Sequence, residues 1–269
     1  MNNTRSASAP RTMARSLIIG IQRIFGFYPR DICLISGAPR SGTSALVKWL
    51  GGQKEILAFP ESRILIGIHG FLKEASRFNN LERERERVEG LARQMAYDYY
   101  IGSKVSLGKR LIVDKEPLEP IAFPSKGYAE FIADVKRLFP ASRLLFAIRD
   151  PLATVWSMSR RAWGESLTQP TNQTFSLDEH VENWRSCTEL IMQYRADPNA
   201  YIVQFGRLTK DPLNESRRIF DFLKIRNGIP FQPRETKETR FDAEEEKRIL
   251  AAVLPQMEKL RDMGISDLS

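Results

Sequence analysis

Three short segments carry residue types at spacings suited to holding a polyanion. The first is Gly37-Ala38-Pro39-Arg40-Ser41-Gly42-Thr43-Ser44, which follows the apolar run 32–36 and opens a helical pattern. Its glycines let the backbone curl around an anion, whose charge is met by exposed N–H groups and the positive end of the helix. Ser41, Thr43 and Ser44 add hydroxyl donors and Arg40 a permanent positive charge. In the nucleoside-triphosphatase form G-x-x-x-x-G-K-[ST] a lysine stands where this chain has Thr43, so the cation that grips β- and γ-phosphates is missing. A tight turn without a ligand is the plainer alternative.

The second segment is the run 143–148, which ends in Arg149-Asp150-Pro151 and feeds a helix bearing Ser157 and Arg161. Ser157 and Arg161 are four residues apart and share a helix face, while Arg149 sits at a strand's carboxyl end, where open α/β sheets bind ligands. Two guanidinium forks and a hydroxyl suit a phosphate monoester; a turn pair of Arg149 with Asp150 and a surface Arg161 is the alternative. The third is the run 110–113, ending in Asp114-Lys115-Glu116-Pro117, which again puts a cation at a strand's carboxyl end. A surface lysine beside acids would read the same.

These residues need a frame, and the periodicity supplies one. Apolar β-rich runs at 32–36, 110–113, 143–148 and 201–205 alternate with helical patterns at 43–52, 81–101, 126–139, 152–164, 177–196, 213–225 and 242–263. Continuous apolar strands between helices predict an α/β fold, a P-loop-like three-layer arrangement with a central, mainly parallel sheet flanked by helices. In 81–101 the expected buried stripe is Leu81, Val88, Leu91 and Met95, and the charge run 82–87 is a solvated face. Segment 53–80 has weak periodicity and reads as a connection that crosses the site as a partial lid. With no repeat and no linker, residues 31–269 form one domain behind a basic leader, 1–30.

The 269 residues are 42% hydrophobic and 28% charged, enough for a sizeable core. No apolar run approaches the roughly 20 residues that span a bilayer. Of the net charge of +8, five units come from Arg5, Arg11, Arg15, Arg23 and Arg30 in the acid-free leader, leaving +3 for the rest. That surplus suits a small polyanion and requires no nucleic acid. In the leader, Leu17, Ile18, Ile21, Ile24 and Phe25 mark one face of a short helix, expected to dock on the core, with peripheral contact to an anionic membrane as the alternative. Gln22 and Arg23 interrupt the apolar stretch, which argues against a signal peptide and for a cytoplasmic protein, membrane-associated if the leader binds lipid. Cys33 and Cys187 fall in predicted buried elements and suggest neither disulfides nor a metal cluster.

Taken together, the first two motifs resemble the sulfotransferase superfamily, whose sulfuryl donor is 3′-phosphoadenosine-5′-phosphosulfate (PAPS). Its 5′-phosphosulfate loop, P-[KR]-[SA]-G-[TN]-[TS], is met by Pro39-Arg40-Ser41-Gly42-Thr43-Ser44, and its 3′-phosphate motif, Arg followed eight residues later by Ser, by Arg149 and Ser157. The likeness spans about residues 32–225 and is closest in layout to tyrosylprotein and carbohydrate-type enzymes, of the soluble bacterial kind. It implies an enzyme that moves a sulfuryl group to a hydroxyl acceptor (glycan, lipid, peptide or small molecule) without a metal, releasing adenosine 3′,5′-bisphosphate (PAP). The resemblance gives Lys115 the sulfonate contact, with Arg40 beside it, and Arg161, on the helix face of Ser157, is expected to share the 3′-phosphate. His69 and His180 do not fall near the central strand, where cytosolic sulfotransferases keep their base, whereas Glu61 lies where tyrosylprotein-type enzymes keep a glutamate. Glu61 is thus the expected base, an ordinary carboxylate or a partner of Arg63 being the alternative. Phe205 stands where those enzymes have a tyrosine, and Arg234, Lys237 or Arg240 is a further 3′-phosphate cation. The rival readings are a P-loop kinase and a non-catalytic binder of anionic glycans.

Overall fold

The structure, a computed structural model, describes residues 17–22, 29–77, 81–120, 122–123, 127–161, 163–166, 169–173, 175–233 and 241–268. Five strands, β1 (Asp31–Gly37), β2 (Ile56–Pro60), β3 (Leu111–Lys115), β4 (Arg143–Ile148) and β7 (Ala200–Gln204), form one all-parallel sheet in the order β2-β3-β1-β4-β7. Two further strands, β5 (Trp163–Ser166) and β6 (Gln169–Gln173), pair antiparallel as a separate hairpin. The helices are α1 (Thr43–Gly51), α2 (Ile64–Ala75), α3 (Leu81–Ser103), α4 (Tyr128–Leu138), α5 (Pro151–Ser159), α6 (Leu177–Gln193), α7 (Phe205–Lys210), α8 (Pro212–Leu223) and α9 (Ala243–Asp262).

Alternation along each strand divides the core between the two faces of the sheet. Ile32, Leu34, Ile112, Leu144 and Phe146 pack with residues of α3, α4, α6 and α9, whereas Cys33, Ile35, Val113, Leu145 and Val203 pack with α1 and α8. Because β1 is central, the chain leaves it toward β2 on one edge and later returns to β4 on its other side. That reversal opens a crevice at the carboxyl ends of β3, β1 and β4. Cys33 and Cys187 are buried and in no disulfide among the described residues, and burial pushes the Cys33 thiol up to about 12, which keeps it protonated and inert.

Three expectations need correction. Segment 53–80 is no lid: it holds edge strand β2 and helix α2, and Pro60 is tolerated because it closes a strand paired on one side. The helix expected over 152–164 stops at Ser159, and Trp163-Gly164 instead enter the β5–β6 hairpin, glycine being a poor helix former. In α3 the deeply buried positions are Ala92, Ala96 and Tyr100, while Leu91 and Met95 are half exposed, because the small alanines let the helix approach its neighbours. In the leader, residues 17–22 are helical: Leu17 and Ile21 are exposed, Ile18 is half-buried, and the buried Gln22 meets the Ser106 hydroxyl at 2.7 Å, while Ile24 and Phe25 lie outside the described residues.

Candidate active site

Register builds the first half of the site. Gly37, the last residue of β1, lies level with Ala147 of β4, so the loop leaving Gly37 runs beside Arg149 two residues further on. A Cβ on Gly37 would stand 2.4 Å from the Ala147 carbonyl oxygen, and one on Gly42, at φ 101°, would stand 2.2 Å from the Phe205 ring. Neither position admits another residue without displacement. Gly42 caps α1 without a side-chain hydrogen bond, whereas α5, α6, α8 and α9 are capped by Asp150, Ser176, Asp211 and Asp242. The first-turn N–H groups of α1 therefore point into the crevice without a side-chain cap.

Around that helix end the charged groups converge. Arg40 Nε donates to Ser157 Oγ at 2.8 Å, and Arg149 Nη1 to the Arg40 carbonyl at 3.4 Å, with its guanidinium 5.5 Å over the Phe205 ring. Neither arginine forms an ion pair among the described residues. Burial, and the nearby Arg40 charge, hold Arg149 below the usual arginine range. The Ser41 hydroxyl is buried with no hydrogen-bond partner among the described residues. A cavity of about 620 Å³ is lined by Arg40, Thr43, Ser44, Arg149, Ser157 and Phe205, among others. Pro39 is buried behind the loop. Two cations and an orphaned hydroxyl thus meet at a helix end that has no side-chain cap.

The second half is set by the register of β2 on β3. Pro60 lies level with Lys115, and the next residue, Glu61, donates its N–H to the Lys115 carbonyl at 3.0 Å. The Lys115 ammonium, only 3% exposed, pairs with the Glu61 carboxylate and donates to Ser44 Oγ at 3.2 Å, so it joins this corner to the loop. Burial raises the Glu61 carboxyl, but Lys115, with Arg63 and Arg161 behind it, outweighs burial and holds it below the usual carboxylate range. Glu61 and Arg63 both adopt left-handed backbone, φ 62° and 60°. Buried carboxylates hold that strained turn: Asp114 Oδ1 accepts from the Ser62 N–H at 3.3 Å and its Oδ2 from the Ser62 and Tyr100 hydroxyls, while Glu116 Oε1 accepts from the Arg63 N–H at 2.5 Å. Burial first, and the Asp114 charge second, push Glu116 up to about 8.

Arg161 is not brought to the 620 Å³ cavity. Its guanidinium donates to Glu119 at 3.2 Å, and Arg63 reaches the other oxygen of the same carboxylate at 3.0 Å. The helix carrying Ser157 ends at Ser159, so the i, i+4 relation to Arg161 that the sequence suggested is broken. Arg234, Lys237 and Arg240 lie outside the described residues.

The family model of the sulfotransferases matches residues 33–230, which include both halves of this site. The chain belongs to the sulfotransferase family. No curated protein matches it. Among solved structures it is similar to sulfotransferase STF9 from Mycobacterium avium, with 12% identity, TM-score 0.55, and coverage of 90% of this chain and 81% of the other. It is also similar to a sulfotransferase from Alicyclobacillus acidocaldarius, with 16% identity, TM-score 0.54, and coverage of 87% and 95%. At such identities the likeness bears on the fold, which it supports as α/β and P-loop-like. Family membership makes this sulfotransferase a transferase and sets aside the kinase and the non-catalytic binder. No described helix is long and apolar enough to cross a membrane.

Sequence reasoning missed one wall of the sulfotransferase cavity. Trp49 Nε1 donates to the Ile229 carbonyl at 2.7 Å, and Gln53 brackets the same residue, accepting from its N–H at 2.8 Å and donating to its carbonyl at 3.1 Å. Segment 229–233 is thereby hung along the cavity that Arg149 also lines. Gln53, 3% exposed in a segment that otherwise reads as polar, is a signal only when its two-point backbone contact is seen. Phe205 was read for the hydroxyl it lacks; in the structure its ring is a shelf for Gly42 and Arg149.

Proposed function

We propose that the protein transfers a sulfuryl group from PAPS to a hydroxyl acceptor, with Pro39 to Ser44 around the 5′-phosphosulfate and Arg149 and Ser157 on the 3′-phosphate. What carries the reading is the pair Arg40 and Arg149: cations from two different strand ends, neither in an ion pair among the described residues, over a helix end without a side-chain cap and the Ser41 hydroxyl, which has no hydrogen-bond partner among those residues. Such a set favours a ligand with separated negative charges. When bound, the donor supplies an activated sulfur whose bond to the 5′-phosphate oxygen breaks as the acceptor oxygen bonds to it, PAP leaving with the electron pair.

The chain's own task is positioning and charge stabilisation. Arg40 and Lys115 offset negative charge on the transferring sulfonate and the departing oxygen. Glu61 takes the acceptor's hydroxyl proton. In the ligand-free arrangement Lys115 neutralises Glu61 and makes it a weak base. A sulfonate that draws the ammonium to itself frees the carboxylate, so donor binding switches the base on.

The test is differential binding. PAP should protect the protein thermally, as any native-state ligand does. Arg149→Ala should weaken PAP by about 10- to 100-fold, the value of one charge-assisted contact, and AMP far less. An equal loss for both nucleotides would remove the 3′-phosphate assignment.

A further inference from the structure

A second cavity of about 560 Å³ lies between α1 and the open edge of β2, and meets the first at Ser44 and Lys48. Its floor is apolar, from Val47, Ile56 and Leu57, and three lysines, Lys48, Lys104 and Lys109, line it. No Asp or Glu lines it among the described residues, and none of the three lysines forms an ion pair there. Among the described residues Lys115, Lys136 and Lys210 do pair with carboxylates, those of Glu61, Asp197 and Asp267. Lys104 is held in place: its ammonium donates to the Ala58 carbonyl and lies 4.4 Å over the Phe59 ring. Partial burial lowers its pKa, outweighing the opposite pull of the Asp114 charge.

The groove opens at the reaction centre. Pro60 is at its mouth, directly before Glu61, and Ser44 is 3.2 Å from the Lys115 ammonium. A strand rises roughly 3.3 Å per residue, so the Ala58 carbonyl that anchors Lys104 lies about 10 Å along β2 from Glu61. We infer that this groove holds an anionic arm of the acceptor, which therefore carries a carboxylate, phosphate or sulfate about 10 Å from the hydroxyl that is sulfated. The inference deepens the sulfuryl-transfer reading and rests on it for the identity of the occupant.

The probes are 5-(4-hydroxyphenyl)pentanoate, whose carboxylate lies about that far from its phenol, and its neutral methyl ester. Binding of each is measured calorimetrically on the full chain, with and without saturating PAP, for the natural protein, for Lys109→Gln and for Lys104→Gln/Lys109→Gln. The acid should bind at least about tenfold tighter than the ester, as one charge-assisted contact would give. The ratio should fall in the single variant and approach unity in the double one. Lys109→Gln, which loses no hydrogen bond given in the structure, keeps the test decisive if the double variant melts early. Acid and ester binding alike, or a ratio indifferent to both lysines, overturns the inference. Sulfur transfer from labelled PAPS is followed separately: a lysine-dependent acid preference with no transfer to any hydroxyl would refute the sulfuryl-transfer reading and leave the anion groove standing.

Discussion

The loop after β1 and the corner where β3 meets β2 treat positive charge in opposite ways. At the loop, Arg40 and Arg149 bond only to a hydroxyl and a carbonyl among the described residues, and the helix end beside them is bare of a side-chain cap. At the corner every cation already has a carboxylate: Lys115 has Glu61, and Arg63 and Arg161 share Glu119. An unneutralised cluster is costly until an anion arrives, so its favourable state is the liganded one. A neutralised cluster is stable empty and has to be opened by exchange of partners. One region is thus built to bind and the other to be rearranged by binding, with the Lys115 to Ser44 hydrogen bond as their contact.

Glu61→Gln attacks that division most directly. It removes the proposed base and the partner of Lys115 while leaving the loop untouched, so sulfuryl transfer should fall by about 10²- to 10⁴-fold with PAP affinity held or improved. Transfer that survives the substitution would make Glu61 a mere counter-ion. Gly42→Ala probes the other side. Its Cβ would meet the Phe205 ring at 2.2 Å from a backbone at φ 101°, so a loss of about 2–4 kcal/mol in stability and of PAP protection is expected by thermal and urea unfolding. An unchanged melting point would mean that Phe205 yields freely and is no shelf.

The loop was far more legible in the sequence than the corner, for a physical reason. Gly37, Gly42, Arg40 and Ser41 lie within six residues, between a strand and a helix, where local chain geometry alone determines their relation. Arg149 came from the same logic, a cation at the end of an apolar run. The corner depends on strand register: nothing local says that Pro60 pairs with Lys115 or that Glu116 grips the Arg63 amide. Edge strand β2 escaped notice because five residues ending in proline give little periodicity. Glu61 was reached through a family likeness, not through spacing. Arg161 was placed by a helical i, i+4 relation to Ser157, whereas the helix ends at Ser159 and the guanidinium meets Glu119.

The buried Glu116 offers a measure of the strain held at the corner. Its carboxyl, near 4.5 when unfolded, is pushed up to about 8 by burial, so the folded protein keeps a proton that the unfolded chain has released. The folded state therefore binds more protons between those values, and stability is greatest below the lower one and declines as pH rises toward 8. Asp114 is pushed up by burial too, so the two carboxyls share the titration. Stability measured by urea unfolding should fall over pH 5–8, by about 1.4 kcal/mol per pH unit for each proton the folded state alone retains, and Glu116→Gln should flatten that slope. A flat profile in the natural protein would mean the carboxyl is ionised throughout, compensated by the Arg63 amide.

The smallest effect, on donor affinity, is expected at Arg161. Because its guanidinium lies on Glu119 and not in the 620 Å³ cavity, Arg161→Ala should change the PAP dissociation constant by less than about twofold, well below the 1.4 kcal/mol that a tenfold change represents. It should instead act on the turnover number and its pH profile, since one of the charges that hold Glu61 below the usual carboxylate range is removed. The sign follows: with less positive charge nearby the Glu61 carboxyl rises, and the acidic limb of the rate profile shifts to higher pH. A large loss of PAP affinity with an unshifted limb would move Arg161 to the loop's side of the molecule, and the division between a region that binds and a region that rearranges would have to be redrawn through α5.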